Sequence, residues 1–271
     1  LDGPSVNSAA TMPDAGMASW LGRARTEPDP ELLAMVTGGP CDPDRVLDMA
    51  DMDRLLDPAP LEVETGWCHM PDGSGFVAAR VEMPDVTAEM VDWWFDWHPR
   101  RPGRYEAWHP EAHISAKLLV EPEGQAKPFW GAVHEVREDV GTGEVKAGIE
   151  FLPPSQVGFS TDALDDPRVG TIVCGRVGDR LMRHTVMCHV WLREGDGLVL
   201  RSHFWLGGAI EPRLPAALSP LGRVLRRPLN SRPVRRAAMP GGLPAALARH
   251  CVEEYTNLAV ILPPLSREFA N

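Results

Sequence analysis

His250 and Glu254 stand four residues apart near the end of the chain. On a helix that spacing puts both side chains on one face, about one turn apart, where a single metal ion can bridge them. A surface hydrogen bond has the same spacing. Here, however, Ala246, Leu247, Cys251, Leu258 and Ile261 make much of the same stretch apolar, which points His250 and Glu254 toward an interior.

Three more clusters offer polar groups of the same kinds. In Tyr105-Glu106-Ala107-Trp108-His109-Pro110-Glu111-Ala112-His113, two histidines flank a proline turn, and either imidazole is a competent metal ligand. In His134-Glu135-Val136-Arg137-Glu138-Asp139, strand alternation puts His134, Val136 and Glu138 on one face and Glu135, Arg137 and Asp139 on the other. Around 183–206, His189 shares a strand face with Trp191, and Arg201 shares one with His203, while His184 is one residue out of step with His189. Each cluster also has a bland reading: a capping His109, a solvated strand end at Glu138, core histidines at 189 and 203.

These groups need elements to hold them. Gly75–Met83 reads as a strand. Val86 to Trp97 reads as a helix that Thr87 can cap, with Met90, Val91, Trp94 and Trp97 at three- and four-residue steps and His98-Pro99 as its stop. Strands are then expected at 113–120, 131–140, 145–151, 170–177, 183–194 and 197–206, and most of the linkers between them, several marked by glycine turns, are too short for helical crossovers. Leu243 to Leu262 is the strongest helix, with Pro244 in its first turn and Pro263-Pro264 as its stop. One long helix after consecutive antiparallel strands predicts an α+β helix-grip fold, with a pocket between helix and sheet. Residues 1–60 read as a helical and irregular N-terminal region, with short helices at 31–36 and 44–56, before a domain spanning 61–271. The arginine-rich stretch 211–242 reads as a solvated connection or an anion-binding lid.

Composition narrows the function. A net charge of −11 disfavours nucleic acid and an anionic membrane surface. No apolar run is long enough to span a bilayer, and the first sixteen residues lack the pattern of a secretory signal. Five widely spaced cysteines without a C-x-x-C read as free thiols of a cytoplasmic protein. There is no G-x-S-x-G elbow, no G-x-G-x-x-G after a strand and no P-loop, so serine hydrolase and nucleotide chemistry are not suggested. Nine tryptophans fit a broad aromatic pocket.

Taken in order, Trp93-Trp94-Phe95-Asp96-Trp97-His98, Tyr105 to His113, Val133 to Gly141, Arg201-Ser202-His203-Phe204-Trp205-Leu206-Gly207 and His250-x-x-x-Glu254 resemble the 2,4-diacetylphloroglucinol hydrolase family, which includes phloretin hydrolases. The resemblance spans about residues 65–262. It implies a Bet v 1-like catalytic domain, a homodimer formed through the N-terminal part, and cleavage of the carbon–carbon bond between an acyl group and a phenolic ring by zinc-activated water. It implies zinc ligands His113, Glu138, His250 and Glu254, with His109 competing for the first place and Glu135 or Glu144 for the second. His189 would donate to a phenolic oxygen, with His203 as the alternative, and Tyr105, His109 and Phe204 would contact the substrate. The family's several substrate-binding tyrosines are not matched, because Tyr105 and Tyr255 are the only two in the chain. Two other functions use the same residues: a metal-dependent ester or lactone hydrolase, and a non-catalytic binding module of the same fold.

Overall fold

The computed structural model describes residues 14–270 apart from 123 and 125. Eight strands form one antiparallel sheet: β1 (Gly66–His69), β2 (Gly75–Met83), β3 (His113–Val120), β4 (Val133–Glu138), β5 (Val145–Leu152), β6 (Val169–Gly178), β7 (Met182–Glu194) and β8 (Gly197–Pro212). Their order across the sheet is β1-β2-β8-β7-β6-β5-β4-β3. The helices are α1 (Ala18–Leu21), α2 (Pro30–Thr37), α3 (Ala88–Trp97), α4 (Arg104–Trp108), α5 (Pro154–Val157), α6 (Thr161–Leu164), α7 (Ser219–Leu229), α8 (Arg232–Ala238) and α9 (Leu243–Phe269).

From β3 to β8 each strand pairs with the next, through short turns except at 121–132 between β3 and β4 and at 153–168 between β5 and β6, where α5 and α6 lie. At the β7–β8 hairpin Glu194 pairs with Gly197, and Gly195 turns with φ +58°, a left-handed conformation that glycine adopts without Cβ strain. The chain crosses from β2 at one side of the sheet to β3 at the far edge, and α3 and α4 lie in that crossing. Thr87 caps α3 by accepting from the Met90 amide at 3.3 Å, as its position in the sequence predicts.

α9 packs along β1 and β2 and also meets the opposite edge of the sheet, where His250 touches His113 of β3 and Ala246 lies against Gly141 beyond β4. A sheet whose two edges reach one helix must curve around it. The architecture is therefore the expected Bet v 1-like helix grip.

Alternation along the strands builds two cores. On the concave face Val77, Ala79, Val81, Met187, Leu200, Phe204 and Leu206 pack with α3, α4 and α9. On the outer face Phe76, Ala78, Cys174, Val186, Cys188 and Trp205 pack under Leu47, Met52, Leu55, Leu56, Leu61 and Val63. The N-terminal residues thus take part in both cores: Met17, Trp20 and Val36 join the inner one, while 47–63 cover the outer one.

Several elements depart from expectation. α9 does not stop at Pro263-Pro264 but continues to Phe269. Two prolines remove two amide donors, yet Leu262 and Leu265 are fully buried, Phe269 packs on Trp97 at 5.3 Å and Trp20 Nε1 donates to Glu268 at 3.1 Å. Tertiary packing overrides the local stop signal. β8 runs six residues past Leu206, because Gly207 at φ +69° makes a bulge that shifts its register with β7. The segment 44–56 is two 3₁₀ stretches, Pro43–Arg45 and Met49–Leu56, rather than one helix. The arginine-rich stretch holds two helices, α7 and α8.

Candidate active site and metal centre

Strand register assembles the first half of the site. His113 at the start of β3 is the cross-strand partner of Glu138 at the end of β4. Just upstream, α4 lays the Tyr105 ring flat on the His113 ring, with centroids 3.8 Å apart and planes within 2°. The Tyr105 carbonyl can only accept, so His113 Nδ1, 3.0 Å away, carries the proton and Nε2 presents its lone pair. The Tyr105 hydroxyl donates to Glu138.

α9 supplies the second half. His250 and Glu254 project from one face, one turn apart, with Nε2 and Oε2 3.6 Å from each other. α4 is tied to this helix at the same level: Trp108 Nε1 donates to the Glu254 carbonyl at 2.9 Å, and Asn257 Nδ2 donates to the Trp108 carbonyl at 2.8 Å.

The two halves converge. His113 Nε2 lies 3.2 Å from His250 Nε2, 3.5 Å from Glu254 Oε2 and 3.8 Å from Glu138 Oε2. His113, His250 and Glu254 form a group that could hold a metal ion, and Glu138 adjoins it. Burial holds the His113 imidazole well below its usual pKa and brings His250 down to about 3. Burial also raises Glu138, although the Tyr105 hydroxyl opposes the rise, and it lifts Glu254 well above the carboxylate range, with the neighbouring Glu138 charge adding to the effect. Two lone-pair nitrogens and two carboxylates face each other, and no lysine or arginine pairs with either carboxylate among the described residues.

That donor set fits a small divalent cation. Ligand atoms about 2.0–2.2 Å from an ion in a tetrahedron lie roughly 3.3–3.6 Å apart. His113, His250 and Glu254 lie 3.2 to 3.6 Å from one another, and Glu138 reaches His113 at 3.8 Å. A bound cation would also reverse the pKa logic, because it favours ionised carboxylates and bare imidazole nitrogens.

Glu138, His250 and Glu254 sit in the wall of a cavity of about 310 Å³ between α9 and the concave sheet, and His113 lies behind them under the Tyr105 ring. Phe95, Phe151, Phe204, Tyr105, Tyr255 and Trp108 supply its aromatic surface. Only one of the nine tryptophans lines it, and Trp94 and Trp191 are core residues instead. No arginine among the described residues lines it, and the arginine-rich stretch contributes Ala238 and Pro240 to its mouth.

The residues expected as ligands or substrate contacts now have places, and His184 also lines the cavity. His113 and Glu138 join His250 and Glu254. His109 does not line the cavity: it stacks behind His250 at 4.9 Å and contacts Glu253 at 3.4 Å. Glu135 faces away and pairs with Lys146 at 2.8 Å, and Glu144 pairs with Arg137. Tyr105, His189 and Phe204 line the cavity. His189 Nδ1 is 2.9 Å from Ser202 Oγ, and burial lowers its pKa to about 3. His203 does not reach the cavity. It neighbours Phe204 on β8 and so faces the outer core, edge-on to Phe76 at 5.6 Å. Ser202 and the ties from Trp108 and Asn257 are not among the residues expected from the sequence. Ser202 is directly opposite His189 in the β7–β8 register, which a confident hairpin alignment would have signalled.

Comparison with known proteins identifies a family for the chain. The profile of the family described as "DAPG hydrolase PhiG domain" matches residues 47–267. Phloretin hydrolase of Eubacterium ramulus is 29% identical over 246 residues, covering 88% of this chain and 84% of that protein. The 2,4-diacetylphloroglucinol hydrolase of Pseudomonas protegens is 28% identical over 231 residues, covering 81% and 73%. Among solved structures, a START superfamily protein from Mycobacterium smegmatis aligns with a TM-score of 0.41 at 13% identity, covering 71% of this chain and 99% of that one.

Proposed function

The chain belongs to the DAPG hydrolase family, and from that premise we propose that it is a zinc-dependent hydrolase of the carbon–carbon bond between an acyl group and a phenolic ring. The observation that carries this reading is the buried group His113, His250 and Glu254 with Glu138 beside it, without a counter-cation among the described residues, where Glu138, His250 and Glu254 line an aromatic cavity. Two histidines and two glutamates suit zinc among the divalent ions. Bound there, zinc would supply Lewis acidity to the acyl carbonyl and to water.

The protein's own groups do the rest. Hydrolysis places the hydroxyl of water on the acyl carbon and a proton on the ring carbon that leaves. The ring carbon departs as a stable group only after it has been protonated, which requires the keto form of the phenol. The neutral His189 imidazole, supported by Ser202, lines the cavity and can hydrogen-bond a phenolic oxygen and favour that form. Tyr105 holds Glu138 by its hydroxyl and His113 by its carbonyl, so one residue orients two of the four donors. Phe204 and Tyr255 flank His189 at 5.3 and 5.2 Å and fix a flat ring beside it.

Metal content and turnover of 2,4-diacetylphloroglucinol test this together. Purified protein should carry about one zinc per chain, and His250→Ala and Glu254→Ala should each lose both metal and turnover. Protein that takes up no zinc on dialysis would sink the mechanism and leave a binding module.

A further inference from the structure

The cavity has a second polar end that the chemistry above does not use. Thr142, Lys146, Asp179 and Pro240 are exposed and mark its mouth. At the inner end it is closed by Phe95, Phe151, His98 and His134, all buried. His134 is 1% exposed, and neither of its ring nitrogens has a hydrogen-bond partner in the protein. It shares a strand face with Glu138, four residues on, so it looks into the same cavity. Its neighbours are the Phe151 ring at 4.4 Å and His98, edge-on at 5.4 Å. His98 Nδ1 donates to the Trp94 carbonyl at 2.8 Å, which leaves its Nε2 without a proton.

A buried imidazole without partners costs stability, and a leucine of similar size would fill the same place without that cost. Such a group is retained where something else completes its hydrogen bonds. We propose that His134, backed by His98, forms a recognition subsite at the inner end of the cavity for an uncharged oxygen substituent of the substrate, a hydroxyl or a carbonyl. The subsite rests on reading the cavity as the substrate pocket. Its ligand is uncharged because, among the described residues, Lys146 at the mouth is the only lysine and no arginine lines the cavity to balance an anion. Burial keeps both imidazoles neutral, with His98 down to about 3 and His134 well below its usual value. A neutral imidazole both donates to a carbonyl and accepts from a hydroxyl, so it serves either substituent. The pattern gives specificity of a polar kind: a ligand that lacks the oxygen leaves the imidazole unpaired and is penalised for it.

Calorimetric binding of benzophenone and 4-hydroxybenzophenone to zinc-loaded protein tests the subsite separately from turnover. The wild type should bind the hydroxylated ketone about tenfold more tightly or better, one hydrogen bond's worth. His134→Leu should lose that preference while binding benzophenone at least as well, and its melting temperature should hold or rise. His134→Gln keeps a donor and an acceptor, should retain part of the preference, and carries the test if the leucine variant does not fold. Equal binding of the two ketones by the wild type overturns the proposal, as does a preference that survives in His134→Leu, or in His134→Gln at full wild-type strength alongside a lowered melting temperature. Binding of neither ketone overturns it too, whatever the metal and turnover assays show.

Discussion

Tyr105 joins more of the site than any other side chain. Its ring lies on His113, its carbonyl fixes the His113 tautomer and its hydroxyl meets Glu138. Tyr105→Phe removes only the last of these. Outer contacts of this kind are worth about 10–100-fold in metal affinity or activity. Tyr105→Phe should therefore weaken zinc binding in competition with a chelator by that factor, with little change in melting temperature, and an unchanged affinity would show that Glu138 needs no support. On the α9 side, Glu253 plays the corresponding part. Burial pushes its carboxyl up, but contacts from His109 and Arg249 and the charge of Arg25 outweigh burial and hold it down at about 2. An ionised Glu253 anchors His109 against the back of His250. The i,i+4 spacing made His250 and Glu254 legible from sequence. The choice of Glu138 over Glu144 was not, because it depends on the β3–β4 register across a twelve-residue connection, 121–132, whose path the sequence does not dictate. The parity of β8 was legible: with Phe204 inside, His203 must face out.

At the level of elements, strands and long helices were read well because their apolar periodicities are strong. β1, α1, α4, α5 and α6 carry no signal because each has only four or five residues, too few for a period to show, while α7 and α8 are hidden in a proline- and arginine-rich stretch with little apolar periodicity. α4 matters most among these, since Tyr105 and Trp108 both sit on it. The end of α9 was misread for a different reason. Local chemistry stops a helix at two prolines, whereas Leu265 and Phe269 gain enough from burial to carry it two turns further. Leu265 is fully buried, so Leu265→Ala should cost about 2–5 kcal/mol in urea unfolding. The terminal turns lie away from the donors His250 and Glu254, so zinc content of the folded fraction should be unchanged. A loss below about 1 kcal/mol would mean that the segment past the prolines is not held by its packing.

Across the whole molecule, the sheet separates two tasks: its concave face carries the cavity, and its outer face is covered by residues 47–63. Both faces bury histidines that are not metal donors. His98, His134 and His189 lie inside and His203 outside, and burial lowers each of them, to about 3 for His98, His189 and His203 and well below the usual value for His134. Such groups bind fewer protons when folded than when unfolded at any pH between their folded values and about 6.5. The unfolded chain gains protons first as the pH falls, so stability is full above about 6.5 and declines below it, by up to about 1.4 kcal/mol per pH unit for each histidine. In metal-free protein the raised carboxyls of Glu138 and Glu254 act in the opposite sense, favouring the folded state as the pH falls from neutrality toward the usual carboxylate value. Two carboxyls cannot offset four histidines, which His113 and His250 join in the absence of metal. The urea midpoint of metal-free protein should therefore drop steeply between pH 7 and pH 5. Zinc should raise the midpoint at pH 7 and lose that effect toward pH 5, where protons compete for the same nitrogens. A midpoint that is flat or rising on acidification would mean that these imidazoles are solvated, and with them the closed inner end of the cavity.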